Sequence, residues 1–403
     1  FNVDLSSTTD QVGTWNGSAN AVAQTLFENV DMSNVTGSFG ADITARAAGS
    51  TIIGTRNFDN ITGGAGADRI TVGVTGVALA AGTNVDQIDA GGGSDTLILV
   101  GTLTNANAVG GSVISLSSTS DQITRVNGAA DNEAVVQVGF ENVDLSGLVM
   151  TTAGWTISAV TQATATGTGS TIVGSNLADS ITGSGGVDSI TMGVVGATLA
   201  YDTINAGAGV DTLILAGNVT TSATVGQNII DLSVAANADQ VTTVNNVAEA
   251  VAQANFENVD LSLLTASAAG FAITAAAAGS SIIGSPQVDS IVGGTGNDTI
   301  NGGDSGDTLL GNGGVDSITG GEGADTITGG AGNDTIALAE TTAAIDTVIF
   351  SGSTSLALQL AANGVDTITG FGSANDLITL TALGDGTNQG SATAVAAGAQ
   401  AAI

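Results

Sequence analysis

The sequence predicts an all-β protein whose short parallel strands stack into a solenoid. Five consecutive frames of nine residues, from Gly293 to Ala337, keep aspartate at the sixth place and isoleucine or leucine at the eighth. A longer unit of about 115 residues recurs three times in tandem. The rest of each unit consists of short β-branched runs separated by glycine, asparagine and aspartate, a pattern typical of short strands.

The nine-residue frames read GGTGNDTIN, GGDSGDTLL, GNGGVDSIT, GGEGADTIT and GGAGNDTIA. Glycines at places one, two and four permit a tight turn over the first six residues. The last three residues then form a short strand whose central side chain points inward. One frame cannot bury that side chain alone, so frames must stack. The sixth-place residues are Asp298, Asp307, Asp316, Asp325 and Asp334, and the preceding frame GSPQVDSIV contributes Asp289.

Each such turn combines main-chain carbonyl oxygens with one carboxylate, which is a donor set suited to Ca²⁺ rather than to zinc or copper. The composition agrees, because 37 acidic residues face only four arginines and the net charge is −33. Such a charge destabilises a compact state unless cations neutralise it, and it disfavours nucleic-acid binding. Cysteine is absent, so a bound metal rather than a disulfide framework is expected to stabilise the fold.

These frames resemble the RTX family, also called hemolysin-type calcium-binding repeats. The resemblance implies a right-handed parallel β-helix or β-roll in which two frames make one coil. Turns eighteen residues apart then share an edge, with Asp298, Asp316 and Asp334 on one and Asp289, Asp307 and Asp325 on the other. Coils lie about 4.8 Å apart, so successive turns could hold an ion between them.

Three tandem copies of the longer unit are marked by the motif FENVD at Phe27–Asp31, Phe140–Asp144 and Phe256–Asp260. We therefore predict β-solenoid repeats at residues 1–114, 115–230 and 231–337, the third containing the continuous calcium roll at 284–337. A C-terminal capping segment is expected at 338–403. Strands are predicted at Val135–Leu145 and, by analogy with its sister copies, at Ala21–Val30.

The first two repeats keep the nine-residue phase poorly. Asp68 and Asp86 are eighteen residues apart, but the matching spacing in the second repeat is fourteen, so we expect irregular coils with fewer ions. Some of these aspartates are also compatible with solvated turn residues. The candidate ligands here are Asp59, Asp68, Asp86, Asp95, Asp179, Asp188, Asp202 and Asp211. Asp346 and Asp366 are candidates for terminal ions, and Asp376 is a weaker one.

The chain is not expected to be an enzyme. Without histidine, cysteine or lysine it lacks a catalytic triad, an HExxH zinc site and a Walker loop. Paired carboxylates alone do not indicate a glycosidase, since aromatic residues for sugar stacking amount to only 3%. No apolar run reaches the roughly twenty residues that span a membrane.

Three functions remain open. The first is a secreted structural protein that self-assembles outside the cell in calcium, as a surface-layer or filament subunit, which the tandem copies resemble. The second is the stalk of a large RTX adhesin, and the third is the C-terminal domain of an enzyme exported by type I secretion. The resemblance implies an extracellular or cell-surface location on a Gram-negative bacterium. Self-association is the expected partnership, and contact with a cell-surface glycan through a region outside this chain is left open.

Overall fold

The computed structural model describes most of the chain between residues 1 and 380. The described residues are 1–15, 18–19, 24–36, 38–75, 86–103, 111–126, 129–130, 136–150, 153–159, 168–195, 197–219, 228–244, 247–248, 251–267, 269–338, 340–342, 344–350, 365–371 and 376–380. Every regular element within these ranges is a β-strand. The predicted all-β, parallel solenoid architecture is confirmed. The tail beyond residue 380 lies outside the described residues.

The N-terminal unit comprises residues 1–194 and 200–209. Its strands are β1 Asn2–Asp4, β2 Val12–Trp15, β3 Ser18–Ala19, β4 Val30–Asp31, β5 Asp42–Thr44, β6 Thr51–Ile53, β7 Asn60–Thr62, β8 Arg69–Val72, β9 Gln87–Asp89, β10 Thr96–Leu103, β11 Val113–Ser115, β12 Ile123–Val126, β13 Ala129–Ala130, β14 Gln137–Val138, β15 Asn142–Met150, β16 Thr156–Ser158, β17 Thr168–Val173, β18 Ser180–Thr182, β19 Val187–Met192 and β20 Thr203–Asn205. Within the unit they follow the orders β14-β9-β7-β5-β1-β2-β3, β19-β17-β15-β10-β8-β6-β4 and β13-β12-β11-β16-β18-β20.

The C-terminal unit comprises residues 195–199 and 210–403. Its strands are β21 Thr212–Leu215, β22 Gly217–Val219, β23 Asn228–Asp231, β24 Val241–Val244, β25 Val247–Ala248, β26 Gln253–Ala254, β27 Asn258–Asp260, β28 Leu264–Ser267, β29 Phe271–Thr274, β30 Ser281–Ile283, β31 Ser290–Val292, β32 Thr299–Gly303, β33 Thr308–Gly313, β34 Ser317–Gly321, β35 Thr326–Ala331, β36 Thr335–Ala337, β37 Thr347–Phe350, β38 Thr367–Thr369 and β39 Leu377–Leu380. The main orders are β21-β27-β30-β32-β34-β36-β38 and β25-β24-β23-β29-β31-β33-β35-β37-β39.

Eighth-place side chains stack in register to form the core of each coil. Ile300 pairs with Ile318, which pairs with Ile336 on the next strand of the same sheet. Leu309 and Ile327 do the same in the other sheet. All five are at most 1% exposed. Full burial of one such side chain stabilises the fold by about 1.5–3 kcal/mol, so the regular spacing of these residues fixes the register of the coils.

Each tandem copy also carries a short antiparallel arm that the sequence did not predict. Strand β1 pairs antiparallel with β2, β11 with β12, and β23 with β24. In each case the parallel partner lies on the other side of the first strand, at β5, β16 and β29. The arms therefore branch from the parallel stack at the same place in the three copies.

Two strand predictions need correction. The segment Val135–Leu145 is interrupted, because β14 ends at Val138 and β15 begins at Asn142. In the segment Ala21–Val30, residues 24–29 are not in a strand and β4 begins only at Val30, while residues 21–23 lie outside the described part. Both breaks contain the first residues of FENVD. No helix in the described part of the chain is long and apolar enough to cross a membrane.

Candidate metal sites

The aspartates of the C-terminal unit form two ladders along the stack of coils. The main-chain N–H of each aspartate donates to Oδ1 of the aspartate in the next coil, over 2.7–3.2 Å. One ladder contains Asp289, Asp307, Asp325, Asp346 and Asp376, and the other contains Asp298, Asp316, Asp334 and Asp366. All nine side chains are buried. The ladders thus reproduce the predicted eighteen-residue pairing and continue past the regular frames.

The first two repeats contain the same bond at a different spacing. The N–H of Asp59 donates to Asp86 Oδ1 over 2.9 Å, and the N–H of Asp68 donates to Asp95 Oδ1 over 2.7 Å. The structure therefore pairs aspartates 27 residues apart and does not pair Asp68 with Asp86. The segment between Asp68 and Asp86 includes positions 76–85, which lie outside the described part of the chain. The remaining candidates Asp179, Asp188, Asp202 and Asp211 are also buried, and the N–H of Asp179 donates to Asp202 Oδ1 over 2.7 Å.

Thirteen of these turns divide into two kinds according to the second carboxylate oxygen, Oδ2. In the first kind the main-chain N–H of the second-place residue donates to Oδ2, over 2.6–2.8 Å. We call these the self-capped turns, and they are the turns of Asp59, Asp68, Asp179, Asp188, Asp289 and Asp298. Both oxygens of each of these carboxylates accept main-chain hydrogen bonds, so these groups are satisfied without a metal ion.

In the second kind, the open turns, Oδ2 is buried and accepts no hydrogen bond. The open turns are those of Asp86, Asp95, Asp307, Asp316, Asp325, Asp334 and Asp346. Their second-place residue, where the structure describes it inside a regular frame, has a left-handed backbone that turns its N–H away: φ is 87° at Gly91, 110° at Gly303, 71° at Asn312, 109° at Gly321 and 114° at Gly330. A buried carboxylate oxygen without a protein partner is costly, which makes these positions the strongest indication that the turns bind a cation.

Burial also raises the pKa of these carboxyl groups, because the charged form loses its hydration. The pKa is raised to about 8 for Asp307, to about 7 for Asp95, Asp289 and Asp325, and to about 6 for Asp179, Asp316, Asp346 and Asp366. Desolvation also raises the pKa of Asp86 well above its usual range. Neighbouring carboxylates add to the effect at Asp307, which faces Asp289 and Asp325. Without a cation, the metal-free ladder therefore binds protons near neutral pH.

First-place glycines leave room for oxygen atoms of two coils to approach each other. A Cβ atom on Gly302 would lie 2.4 Å from both Asp307 Oδ2 and the carbonyl oxygen of Gly320 in the next coil. On Gly311 it would lie 2.4 Å from Asp316 Oδ2 and 2.3 Å from the carbonyl oxygen of Gly329. A carboxylate and a carbonyl oxygen thus converge where no side chain fits.

This donor set fits calcium, which takes carboxylate and carbonyl oxygens in flexible geometry. Within the described residues no three acidic side chains surround one point. The ions would therefore be held by open-turn aspartates of successive coils together with main-chain carbonyls. Calcium, when bound, supplies positive charge to carboxylates that have no other partner.

A comparison with family models finds the RTX calcium-binding nonapeptide repeat (4 copies), which matches residues 47–74, 79–98, 199–217, 283–318 and 310–338. The chain therefore carries RTX calcium-binding repeats, and calcium is its metal. The matched ranges contain every candidate aspartate except Asp179, Asp188, Asp346, Asp366 and the weaker candidate Asp376. No curated protein matches the chain.

Three further acidic residues accept hydrogen bonds of the same kind, although the sequence predicted one of them only weakly and the other two not at all. Asp376 receives the N–H of Asp346 over 3.2 Å, in spite of its irregular frame. Glu141 and Glu257 receive the N–H groups of Asp95 and Asp211, each over 2.8 Å. The available signal is FENVD, whose second and third copies contain these glutamates, but the sequence alone marks this motif only as a repeat within a strand.

We expect Gly321→Ala to destabilise the calcium-bound chain by about 1–3 kcal/mol or more, because its backbone lies in a region that alanine rarely adopts. The new Cβ atom would also lie only 1.9 Å from the carbonyl oxygen of Gly303. Gly313→Ala is the matched control, since its nearest non-bonded atom would be 4.0 Å away and its strand partner is already Ala331. Thermal unfolding in calcium measures the stability of both variants. Equal losses of stability would contradict the requirement for glycine at position 321.

Proposed function

We propose that this chain is a secreted structural protein that folds and self-assembles in extracellular calcium, as a subunit of a surface layer or filament. The observation that carries the proposal is the row of buried, unpartnered carboxylate oxygens at the open turns. Such a row makes the folded state depend on a cation. Repeats of this kind are typical of secreted proteins, and the outside of a cell supplies calcium that the cytosol does not.

The free energy of calcium binding is large enough to make folding depend on the extracellular calcium concentration. Extracellular calcium sites commonly have dissociation constants of about 10⁻⁴–10⁻³ M. At a tenfold excess of calcium each site contributes about 1.4 kcal/mol to the stability of the folded state. Several such sites together exceed the net stability of many domains, which is about 5–15 kcal/mol. The chain would thus remain open during export and fold outside.

Composition supports assembly rather than catalysis. The chain has no lysine and no histidine, and its net charge of −33 would keep separate copies apart in the absence of a divalent cation. Calcium lowers that repulsion both inside the ladders and between neighbouring subunits. Tandem copies of one unit also suit a protein whose role is to extend or to tile a surface.

We expect the purified chain to form ordered polymers in millimolar calcium and to lose them on chelation. Light scattering and negative-stain electron microscopy across a calcium series measure this, with the same concentrations of sodium as the control for ionic strength. A strictly monomeric sedimentation profile at every calcium concentration would overturn the assembly proposal and favour the stalk of an adhesin.

A further inference from the structure

A turn outside the matched repeats lies directly on the Asp95 turn. Strand β10 pairs in parallel with β8 on one side and with β15 on the other, and Thr96 is level with both Arg69 and Asn142. The residues immediately before Arg69, Thr96 and Asn142 are Asp68, Asp95 and Glu141, respectively. Glu141 therefore occupies the register of a sixth-place aspartate in the next coil.

Glu141 also makes the ladder bond of such an aspartate. The N–H of Asp95 donates to Glu141 Oε2 over 2.8 Å, just as the N–H of Asp68 donates to Asp95 Oδ1 over 2.7 Å. Asp95 is fully buried, and its Oδ2 has no hydrogen-bond partner. The two carboxylates thus lie in successive coils, and one of them carries a buried oxygen that requires a cation or a proton.

The length of the turn explains why the residue is glutamate. The N–H of Ala90 donates to the carbonyl oxygen of Val138 over 2.9 Å, which places Gly139 level with Ala90. Only Phe140 separates Gly139 from Glu141, whereas four residues separate Ala90 from Asp95. The shorter turn reaches less far, and the additional methylene of glutamate restores the position of the carboxylate.

A glutamine holds this short turn in place. Gln122 Nε2 donates to the carbonyl oxygen of Phe140 over 2.7 Å, and the N–H of Phe140 donates to Gln122 Oε1 over 2.9 Å. The Phe140 ring is 1% exposed. With both main-chain groups of Phe140 bound and its ring buried, the neighbouring Glu141 is positioned before any ion arrives.

The third copy repeats the arrangement. Asp211 donates its N–H to Glu257 Oε2 over 2.8 Å, and Gln240 binds both main-chain groups of Phe256 over 2.8 Å. The first copy differs, because the carboxylate of Glu28 is bound to Arg46 at 2.8 Å and is two-thirds exposed. The first copy keeps the glutamine contact, since Gln11 binds both main-chain groups of Phe27 over 2.7–2.8 Å, so the difference lies in the glutamate rather than in the glutamine.

We propose that Glu141 and Asp95 form a further calcium site, closed by a glutamate turn rather than by a nonapeptide, and that Glu257 and Asp211 form its equivalent. FENVD is then the element that ends a run of calcium turns while still supplying a carboxylate to the last ion. The proposal rests on calcium binding by the repeats and not on assembly, so a chain that stays monomeric leaves it intact.

Glu141→Gln tests the site, because glutamine keeps an oxygen that can accept the Asp95 N–H but removes the charge. Bound calcium is counted on the full chain by equilibrium dialysis and elemental analysis at saturation. We expect E141Q to bind one ion fewer than the natural chain, E257Q one fewer, and the double variant two fewer. E28Q removes a carboxylate that binds Arg46, and this variant should bind the same number of calcium ions as the natural chain.

An unchanged ion count and affinity in both folded E141Q and folded E257Q would overturn the proposal and leave the glutamates as hydrogen-bond acceptors that end the ladder. A loss in E28Q equal to that in E141Q would also overturn it, since it would reflect net charge alone. Far-UV circular dichroism confirms folding of each variant. If one variant fails to fold, the other tests the same arrangement in a separate copy.

Discussion

Chelation at about pH 8 is expected to unfold the ladders of the C-terminal unit, whereas chelation at about pH 5 should leave them folded. The buried carboxyl groups have folded-state pKa values raised to about 6 to about 8, above the ordinary value near 3.8. Between the ordinary pKa and these raised values, the metal-free folded chain therefore binds more protons than the unfolded chain. The stability that these carboxyl groups contribute is fully present below about pH 4 and is lost as the pH rises through the folded-state pKa values.

Calcium replaces those protons, so the natural chain with calcium should show the opposite trend and become more stable as the carboxylates ionise. Far-UV circular dichroism in excess EDTA, at about pH 5 and about pH 8, measures the β-signal, and matched samples in calcium serve as the control. A full β-signal in EDTA at about pH 8 would contradict metal-dependent folding. An equal loss at both pH values would contradict the role given to burial of the carboxyl groups.

The sequence predicts the stack well wherever its period is fixed. Aspartate at the sixth place and isoleucine at the eighth require coils of eighteen residues, and the register of Ile300 with Ile318 follows from burial alone. The same rule fails at Asp68 and Asp86, which are eighteen residues apart but lie in different ladders. A period counted along the chain cannot show where an additional segment loops out of a coil.

The division into self-capped and open turns could not be predicted from the sequence either. Gly294 and Gly303 are the same residue at the same place of the frame, yet only Gly303 has a left-handed backbone. Gly294 lies in the coil whose Asp298 receives the N–H of Ser280, whereas Gly303 lies in the coil whose Asp307 receives the N–H of Asp289. A partial signal did exist, since Thr55, Ser175, Ser184 and Ser285 put a hydroxyl group at the second place of self-capped turns.

The glutamate turns could not be found from local pattern. Glu141 follows a frame without the glycine doublet, and its position depends on Gln122, which lies 18 residues from Phe140 in sequence. The recurrence of FENVD together with an upstream Asp-Gln pair, at Asp10, Asp121 and Asp239, was visible. Only the three-dimensional pairing shows that these two markers belong to one turn.

Asp316→Asn is expected to change stability in opposite directions with and without calcium. Asp316 Oδ1 accepts the N–H of Asp298 over 2.8 Å, and asparagine keeps that acceptor. Its Oδ2 is buried without a partner, and burial together with the charges of Asp334 and Asp298 raises the pKa of Asp316 to about 6. At about pH 8 without calcium the group is charged and uncompensated, so removing the charge should stabilise the fold by on the order of 1–3 kcal/mol.

In calcium the same change removes a carboxylate ligand from the middle of a ladder and should lower stability by at least as much. Asp86→Asn is expected to behave in the same way, because Asp86 also accepts a main-chain N–H through Oδ1 and leaves Oδ2 buried and unpartnered.

Asp298→Asn is the contrasting variant. Both of its oxygens accept N–H groups, from Ser280 and Gly294, so an amide nitrogen would face a donor and destabilise the fold in both conditions. Urea denaturation of the three variants, with calcium and with EDTA at about pH 8, measures the signs. A loss of stability in EDTA for Asp316→Asn as large as that for Asp298→Asn would show that the two kinds of turn do not differ.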